Sequence, residues 1–134
     1  MSIIYKETKV LNPTDLQELF LSVEWSSGHF PEKLALAMQN SSTVYTAWHD
    51  EKLVGLINVL DDSCMTAYIH YLLINPHYQG KGIGKNLVNY IKNKYKDYLR
   101  IVLIAYDEET PFYEYVGFTK GEDKTPMFIT KLWT

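Results

Sequence analysis

In the first third of the chain, apolar residues recur at the three- to four-residue spacing of a helix that buries one face. Asn12 suits the cap of such a helix and Pro13 suits its first position. Leu16 and Leu19 follow on one side of the predicted helix. A second apolar set within residues 31–38 predicts another short helix, so a helix pair occupies this part of the chain.

From residue 43 onward the pattern becomes typical of strands. Residues 43–49 and 53–60 are rich in β-branched and aromatic side chains, and the turn at 50–52 between them predicts a hairpin. Residues 66–74 predict a longer strand that ends before Asn75-Pro76. The middle of the chain therefore predicts antiparallel hairpins.

A strand–helix–strand unit comes next. Apolar positions between residues 82 and 95 fall on one side of a helix, and residues 101–106 form a short, nearly all-apolar run. Such a run is expected when both faces of a strand are covered. Because crossover connections are right-handed and join parallel strands, we expect residues 101–106 to lie parallel to the strand at 66–74.

Three further segments complete the predicted fold. Residues 3–6 predict an edge strand, residues 111–116 a short helix that stops at Gly117, and residues 127–132 a last strand. No repeat or linker-like stretch interrupts the chain, and its 134 residues suit one domain. We therefore predict a single α+β domain over residues 1–134, built on a mixed β-sheet.

Composition and charge limit the classes of function that the chain can have. The formal net charge is −3, so the chain lacks the basic excess of a nucleic-acid-binding protein. The single cysteine, Cys64, excludes an intramolecular disulfide and a multi-cysteine metal site, and the four histidines lack metal-ligand spacing. The first residues lack the apolar region of a signal peptide, and no apolar run reaches membrane-spanning length. We expect a cytoplasmic protein with no metal, membrane or nucleic-acid partner.

The most informative motif is the glycine-rich segment that joins the strand at 66–74 to the helix after it. It reads Gln79-Gly80-Lys81-Gly82-Ile83-Gly84-Lys85. Glycines at alternate positions leave backbone N–H groups uncovered, and the helix that follows contributes the positive end of its dipole. Both features suit a phosphate or pyrophosphate group.

Two common phosphate-binding motifs do not fit this spacing. A Walker A loop needs four residues between its glycines and a hydroxyl after its lysine, whereas three residues separate Gly80 from Gly84 and Asn86 follows Lys85. A dinucleotide-binding loop needs a third glycine where Lys85 stands, and it usually follows the first strand of its domain. A nucleotide-binding protein is therefore the weaker alternative.

The segment resembles the acetyl-CoA loop of the GNAT N-acetyltransferase superfamily, whose members carry Arg or Gln, two residues, Gly, one residue, and Gly or Ala. Gln79, Gly82 and Gly84 match this pattern, and the order of elements over residues 43–118 matches the family as well. The resemblance implies a GNAT-like α+β fold whose mixed central sheet has six to seven strands, with four helices packed on both faces.

The same resemblance implies how acetyl-CoA is held. Backbone amides of the glycine loop are expected to bind the pyrophosphate, Lys81 and Lys85 to add positive charge, and the end of the preceding strand to pair with the pantetheine arm. A backbone N–H of that strand is expected to polarise the acyl carbonyl. The residues expected to contact the cofactor are Leu72, Leu73, Ile74, Gln79, Gly80, Lys81, Gly82, Ile83, Gly84, Lys85, Asp107 and Phe112.

A second segment, Pro111 to Phe118, is similar to the family's Phe-Tyr-x-x-x-Gly-Phe sequence. The resemblance implies that Tyr113 lies beside the thioester sulfur and acts as the general acid that protonates the departing thiolate. Phe112 and Phe118 are also expected in the core. Asp107 stands where many members have a cofactor-contacting asparagine shortly after the short strand, so this chain departs from the pattern there.

The amine must also lose a proton. If side chains alternate along the strand, Tyr68, His70 and Leu72 share one face. Tyr68 and His70 occupy positions where relatives such as the arylalkylamine N-acetyltransferases carry histidines. With an ordinary pKa of about 6.5, His70 suits proton removal, directly or through water. A water chain without a dedicated base is the alternative.

The acceptor pocket of this family is built by the first two helices and the loop between them. The residues expected to line it here are Trp25, His29, Phe30 and Tyr68. The resemblance predicts direct transfer from acetyl-CoA to a primary amine, which is a small amine, a polyamine, or a lysine or N-terminal amine. A non-catalytic CoA-binding regulatory or interaction module is the alternative. A homodimer stays open as well, because members of this family are often dimers.

Overall fold

The computed structural model describes residues 2–134 of the chain. Within this range, short 3-10 turns at Ser26–His29, Pro76–Tyr78 and Asp107–Glu109 link the regular elements. The strands and α-helices, in chain order, are β1 (Ile4–Glu7), α1 (Pro13–Ser22), α2 (Pro31–Asn40), β2 (Thr43–His49), β3 (Lys52–Asp61), β4 (Thr66–Ile74), α3 (Ile83–Lys94), β5 (Arg100–Leu103) and α4 (Thr110–Tyr115).

The sheet has the strand order β1-β2-β3-β4-β5. The first four strands pair antiparallel with their neighbours, whereas β4 and β5 pair in parallel, with Thr66 opposite Arg100 and Ile69 opposite Leu103. The predicted hairpins, the crossover and the mixed sheet are therefore confirmed. The predicted count of six to seven strands is wrong, because residues 2–134 contain five.

The missing strand is the one predicted at residues 127–132. These residues have the composition of a strand but form no ladder, and both Met127 and Ile129 are almost fully exposed. A strand is stable only when a neighbouring strand satisfies its backbone groups. The composition of this segment favours a strand, but no other strand pairs with it within residues 2–134 of a single chain.

Strand β5 also differs from its prediction. It ends at Leu103 instead of Tyr106, and it is not covered on both faces, since the side chains of Val102 and Ile104 are 40% and 49% exposed. The exposed side chains alternate with partly buried ones, so they share one face of the strand, and the neighbouring elements leave that face uncovered. Part of this apolar run is therefore exposed to solvent in the single chain.

Helices cover both faces of the sheet, as predicted. Helices α1 and α2 pack on one face through a cluster that includes Phe20, Met38 and Leu56. Helix α3 packs on the other face with Ile57 and Leu87. No helix among residues 2–134 is long and apolar enough to cross a membrane, and the cytoplasmic location stays a prediction.

A buried hydroxyl network fastens the C-terminal end of α3 to the sheet. The Tyr95 hydroxyl lies 2.6 Å from Thr43 Oγ1 and donates a hydrogen bond to Asp61 Oδ2 at 2.7 Å. Burial, together with the Asp61 carboxylate, raises the pKa of Tyr95, so the phenol stays protonated and keeps donating.

Tyr95→Phe is expected to lower the free energy of unfolding by about 1–3 kcal/mol, because the buried Thr43 hydroxyl and the Asp61 carboxylate lose their shared partner. Urea unfolding followed by circular dichroism measures this change. Tyr115→Phe is the matched control, since the Tyr115 hydroxyl is exposed and its loss should change stability by less than about 0.5 kcal/mol. Equal stabilities of the two variants would contradict a structural role for the network.

Candidate active site

A β-bulge in β4 shapes one side of the candidate site. Asn58 lies opposite Tyr71 and Val59 lies opposite Ile69, so His70 is an extra residue with no partner in β3. The backbone N–H of Tyr71 instead donates to Asn58 Oδ1 at 2.8 Å. Asn58 is only 2% exposed, and its Nδ2 donates to Ser41 Oγ at 3.1 Å. Asn58 thus stabilises the bulge from within the core.

The bulge corrects the predicted face of β4. Beyond it the alternation is reversed, so Leu72 packs with the α3 cluster, whereas Tyr71 packs with the α1–α2 cluster. Tyr68 and His70 do lie together, with their ring centroids 5.8 Å apart. The prediction that Leu72 shares their face is therefore wrong, because one inserted residue shifts a two-residue repeat by half its period.

Tyr71 is the residue that sequence reasoning missed. Its ring stacks on His70 at 4.0 Å and meets the edge of Phe20 at 4.9 Å and the tilted ring of Trp25 at 6.0 Å. Its hydroxyl lies 2.9 Å from Ser27 Oγ. Tyr71 therefore joins the bulge in β4 to the turn between α1 and α2.

One signal in the sequence pointed toward this arrangement. Asn58 interrupts an otherwise apolar strand, and a buried amide needs hydrogen-bond partners that a regular ladder does not leave free. Within the described residues, no buried side-chain nitrogen or oxygen atom lacks a partner, so Asn58 has found its own.

His70 is held as a neutral imidazole. The rings of Tyr68 and Tyr71 keep water from part of it, although the residue as a whole is exposed. This partial burial lowers the pKa of His70 below its ordinary value of 6.5. At neutral pH the ring is therefore unprotonated and has a nitrogen available to accept a proton.

Strands β4 and β5 separate beyond the bulge. Their pairing ends at Ile69 and Leu103, whereas residues 72–74 continue to pair with β3. The side of β4 that faced β5 is therefore open at residues 72–74. At the end of this stretch the Gln79 side-chain amide donates to the Ile74 carbonyl at 3.0 Å, which fixes the start of the glycine loop against the strand.

The glycine loop depends on two left-handed residues. Gly80 and Gly82 have φ angles of 74° and 84°, and a Cβ atom at either would meet nothing within 4 Å. Backbone conformation, and not crowding within the chain, is what calls for glycine there. Gly82 caps α3, and the first intrahelical bond runs from the N–H of Asn86 to the Gly82 carbonyl at 3.0 Å. The earlier N–H groups of α3 are thus free for an anion.

Gly84 serves a different purpose. A Cβ atom at Gly84 would lie 3.3 Å from Phe112 Cζ and 3.9 Å from Ile74 Cγ1, so the absent side chain allows α4 to approach α3. The end of β4, the start of α3 and helix α4 therefore meet at this glycine. Phe112 packs on the α3 cluster here, as expected, and borders the glycine loop.

Tyr113 follows directly on this contact. Its ring meets the rings of Phe112 and Phe118 at centroid distances of 5.2 and 5.8 Å. Burial, with a smaller contribution from the Glu109 carboxylate, raises the pKa of Tyr113 to about 12. Its hydroxyl makes no hydrogen bond to any residue from 2 to 134. A protonated phenol is thus free to donate to a ligand.

The charged residues around the loop are exposed. Lys85 Nζ donates to the Tyr115 hydroxyl at 3.2 Å, and Lys81 has no ion pair or hydrogen bond within the described residues. The Asp107 side chain is exposed in the turn that precedes α4. No group of three His, Cys, Asp or Glu side chains in residues 2–134 is arranged to hold a metal.

The expected acceptor residues do not all lie together. Trp25 joins the ring cluster of Tyr71, and its ring centroid is 6.5 Å from that of Tyr106. His29 and Phe30 are exposed at the end of the Ser26–His29 turn and make no ring contact with that cluster. The structure thus brings together Trp25, Tyr68 and His70 through Tyr71.

Comparison with known proteins agrees with this architecture. Residues 10–127 match the family model of the acetyltransferase (GNAT) domain. An uncharacterized N-acetyltransferase of Prochlorococcus marinus is 32% identical, the match covering 88% of this chain and 68% of that protein. One from Gracilaria tenuistipitata is 29% identical, over 84% of this chain and 65% of its own length.

Solved structures share the fold. A GNAT-family acetyltransferase from Streptococcus pneumoniae superposes with a TM-score of 0.83 at 26% identity, covering 97% of this chain and 99% of that one. The strand order, the open end of β4 and the glycine loop before α3 are thus accompanied by sequence similarity along most of the chain. The chain therefore belongs to the GNAT family of N-acetyltransferase enzymes.

Proposed function

We propose that this chain transfers the acetyl group of acetyl-CoA directly to a primary amine. One observation carries the proposal. The open edge of β4 at residues 72–74 leads into a loop with left-handed Gly80 and Gly82 that suits an anion, and α4, which carries the protonated and unpartnered Tyr113, approaches this loop through Phe112 at Gly84. A thioester with a pyrophosphate at one end and a leaving sulfur at the other matches this order of groups.

The chain holds the donor chiefly through its backbone. Backbone N–H groups of residues 79–85 bind the pyrophosphate with the help of the α3 dipole, and Lys81 and Lys85 add positive charge. The open edge of β4 at residues 72–74 pairs with the amides of the pantetheine arm, as an added strand pairs with a sheet. Phe112 borders this path, and the exposed Asp107 is available to accept an amide N–H.

Transfer then proceeds by direct attack. The amine nitrogen bonds to the acyl carbon, a β4 backbone N–H stabilises the oxyanion, and the carbon–sulfur bond breaks as the intermediate collapses. The amine proton passes to His70, directly or through water. An ordinary thiol has a pKa of about 8.5, so full proton transfer from a phenol of pKa about 12 would be uphill. In place of the proton transfer that the resemblance implies, Tyr113 is therefore proposed to donate a hydrogen bond to the developing thiolate, which leaves as the anion.

The acceptor side is aromatic. The rings of Tyr68 and Tyr71 flank the exposed His70, and Trp25 packs on Tyr71. This aromatic surface favours an amine on an apolar or aromatic body and attracts its ammonium form through cation–π contact. His29 and Phe30, at the neighbouring surface, are proposed to contact the distal part of a larger acceptor. Polyamines and lysine or N-terminal amines stay within the proposed class.

The direct test mixes purified protein with acetyl-CoA and three amines: an arylalkylamine, a polyamine and a lysine-containing peptide. Release of free thiol and the mass of the acetylated product report the reaction, while calorimetry reports CoA binding. Turnover of any amine supports the proposal. Binding of CoA without turnover of any of the three would favour a non-catalytic CoA-binding module, and absence of CoA binding would reject the assigned loop.

The role of His70 predicts a pH dependence. The pKa of His70 is lowered below 6.5. Protonation of the imidazole should therefore decrease kcat/KM only below pH 6.5. His70→Gln should remove this acidic limb and lower kcat/KM by about 10²-fold or more. Profiles measured with two amines of different pKa separate the enzyme's limb from that of the substrate. An unchanged limb in the glutamine variant would assign proton removal to a water chain.

A further inference from the structure

Tyr71 lies on a stretch of β4 where the regular ladder is interrupted. Its backbone N–H donates to the side chain of Asn58 in place of a main-chain partner. On the other side of β4, the pairing with β5 has already ended at Ile69. The backbone pairing of β4 alone therefore does not fix the Tyr71 ring, which stacks on His70 at a centroid distance of 4.0 Å.

A side-chain contact to the turn between α1 and α2 supplies further support. The Tyr71 hydroxyl lies 2.9 Å from Oγ of Ser27, which is only 2% exposed. The turn itself is tied to α1, because Gln17 Nε2 donates to the Gly28 carbonyl at 2.8 Å. A Cβ atom at Gly28 would lie 2.8 Å from the Leu21 side chain, so the turn packs closely on the helix. Ser27 is thus a fixed point for the Tyr71 hydroxyl.

The same turn binds Thr134, which lies 107 residues after Ser27 in the chain. The Thr134 main-chain oxygen accepts from the Ser27 N–H and from the Ser27 hydroxyl, each at 2.8 Å. The Ser26 hydroxyl donates to the same oxygen at 2.9 Å, and the Ser26 N–H donates to Thr134 Oγ1 at 2.8 Å. Two adjacent serines therefore hold Thr134 with both their backbone and their side chains.

Tyr71, Ser27 and Thr134 form a chain of hydrogen bonds whose direction is fixed. A main-chain oxygen only accepts, so Ser27 Oγ donates its one proton to Thr134. The Tyr71 hydroxyl must then donate to Ser27 Oγ. We infer that Ser27 and Thr134 are positioning residues for the acceptor side, because through this chain they hold the Tyr71 ring against His70. The inference rests on the proposed function, in which His70 and the rings beside it receive the amine.

The chain gives Thr134 an effect on the amine without any contact to it. If Thr134 leaves the turn, the Ser27 hydroxyl loses its fixed acceptor and is free to rotate, so the Tyr71 hydroxyl loses a fixed partner. The Tyr71 ring is then held only by packing on rings such as Phe20 and Trp25. Binding of acetyl-CoA should be unaffected, because none of these hydrogen bonds involves the glycine loop.

The first test compares three variants in the thiol-release assay. Ser27→Ala and Tyr71→Phe each break the chain, whereas Ser26→Pro keeps both hydroxyls and removes two groups that hold Thr134. Proline suits this first position of the turn. Each variant should raise KM for the amine by about 5- to 30-fold and leave KM for acetyl-CoA within about twofold. Ser22→Ala removes a hydroxyl that bonds only within α1, and this control should match the wild type.

A double variant separates the chain from a general loss of stability. Ser27→Ala combined with Tyr71→Phe should stay within about twofold of either single variant, because both substitutions break the same chain. Independent contributions would multiply instead. Multiplied effects in the double variant, or a wild-type KM for the amine in Ser26→Pro, would overturn the inference.

A nuclear magnetic resonance measurement needs no turnover, so it distinguishes this inference from the proposed function. The ring protons of His70, assigned by comparison with His70→Gln, should be shifted upfield in the wild type by the aromatic rings stacked on them. Ser27→Ala and Ser26→Pro should move these resonances downfield, and Ser22→Ala should not. Absence of turnover with every amine would reject the proposed function, whereas unchanged His70 resonances in Ser27→Ala or Ser26→Pro would overturn the positioning chain.

Discussion

Tyr113→Phe is expected to lower kcat by about 10²- to 10³-fold, the usual loss when one donor to a developing anion is removed, while leaving acetyl-CoA affinity within about twofold. The substitution removes one oxygen and keeps the ring, so the contacts with Phe112 and Phe118 persist. Because the hydroxyl has no hydrogen-bond partner among residues 2–134, its loss leaves no protein group unsatisfied. The substitution therefore removes only the stabilisation of the transition state, in which the departing sulfur gains negative charge.

The measurement is a thiol-release assay at saturating acetyl-CoA, paired with calorimetric titration of CoA. Tyr115→Phe is the matched control, since it removes a phenol two residues away that bonds to Lys85 and is exposed. It should keep kcat within about threefold, as expected for an exposed contact. Equal activity of Tyr113→Phe and wild type would remove Tyr113 from the mechanism.

Gly82→Val is expected to abolish most acetyl-CoA binding while the fold survives. Gly82 has a φ of 84°, a conformation that a β-branched residue adopts only at a cost of about 1–3 kcal/mol. If the bound loop must keep this conformation, that cost weakens binding by about 5- to 150-fold. Any valine methyl that reaches the pyrophosphate adds to the loss.

Calorimetric titration with CoA measures the affinity, and thermal unfolding reports the fold. Gly121→Val is the control, because Gly121 lies in the exposed C-terminal segment and has no left-handed φ. It should bind CoA like the wild type. Normal CoA affinity of Gly82→Val would mean that the pyrophosphate does not lie on this loop.

Local patterns predicted most of the elements, because each element carries its own period. The helix behind Asn12-Pro13, the hairpin around residues 50–52 and the crossover into β5 all follow from spacing that neighbouring residues determine. Asn12 does cap α1, accepting from the Thr14 N–H at 2.8 Å. The loop before α3 was likewise predictable, because left-handed turns require glycine.

What the sequence did not reveal depends on pairing between distant residues. The bulge at His70 adds one residue without changing the composition of β4, and Asn58, twelve residues earlier, supports it by hydrogen bonding to Tyr71. The position of Tyr71 between His70 and Trp25 follows from that register alone. The strand expected at residues 127–132 failed for a related reason, since strand propensity does not supply a neighbour.

The left-handed glycines of the loop also bear on how this protein can change over generations. Because main-chain atoms are proposed to grip the donor, the loop needs only its glycines, the Gln79 amide and the two lysines, none of which meets the acceptor. The opposite holds at Tyr68, Tyr71 and Trp25, where ring shape itself forms the surface that an acceptor would meet. Selection for a new amine would therefore act on the aromatic side of the cleft, while the donor side is inherited unchanged.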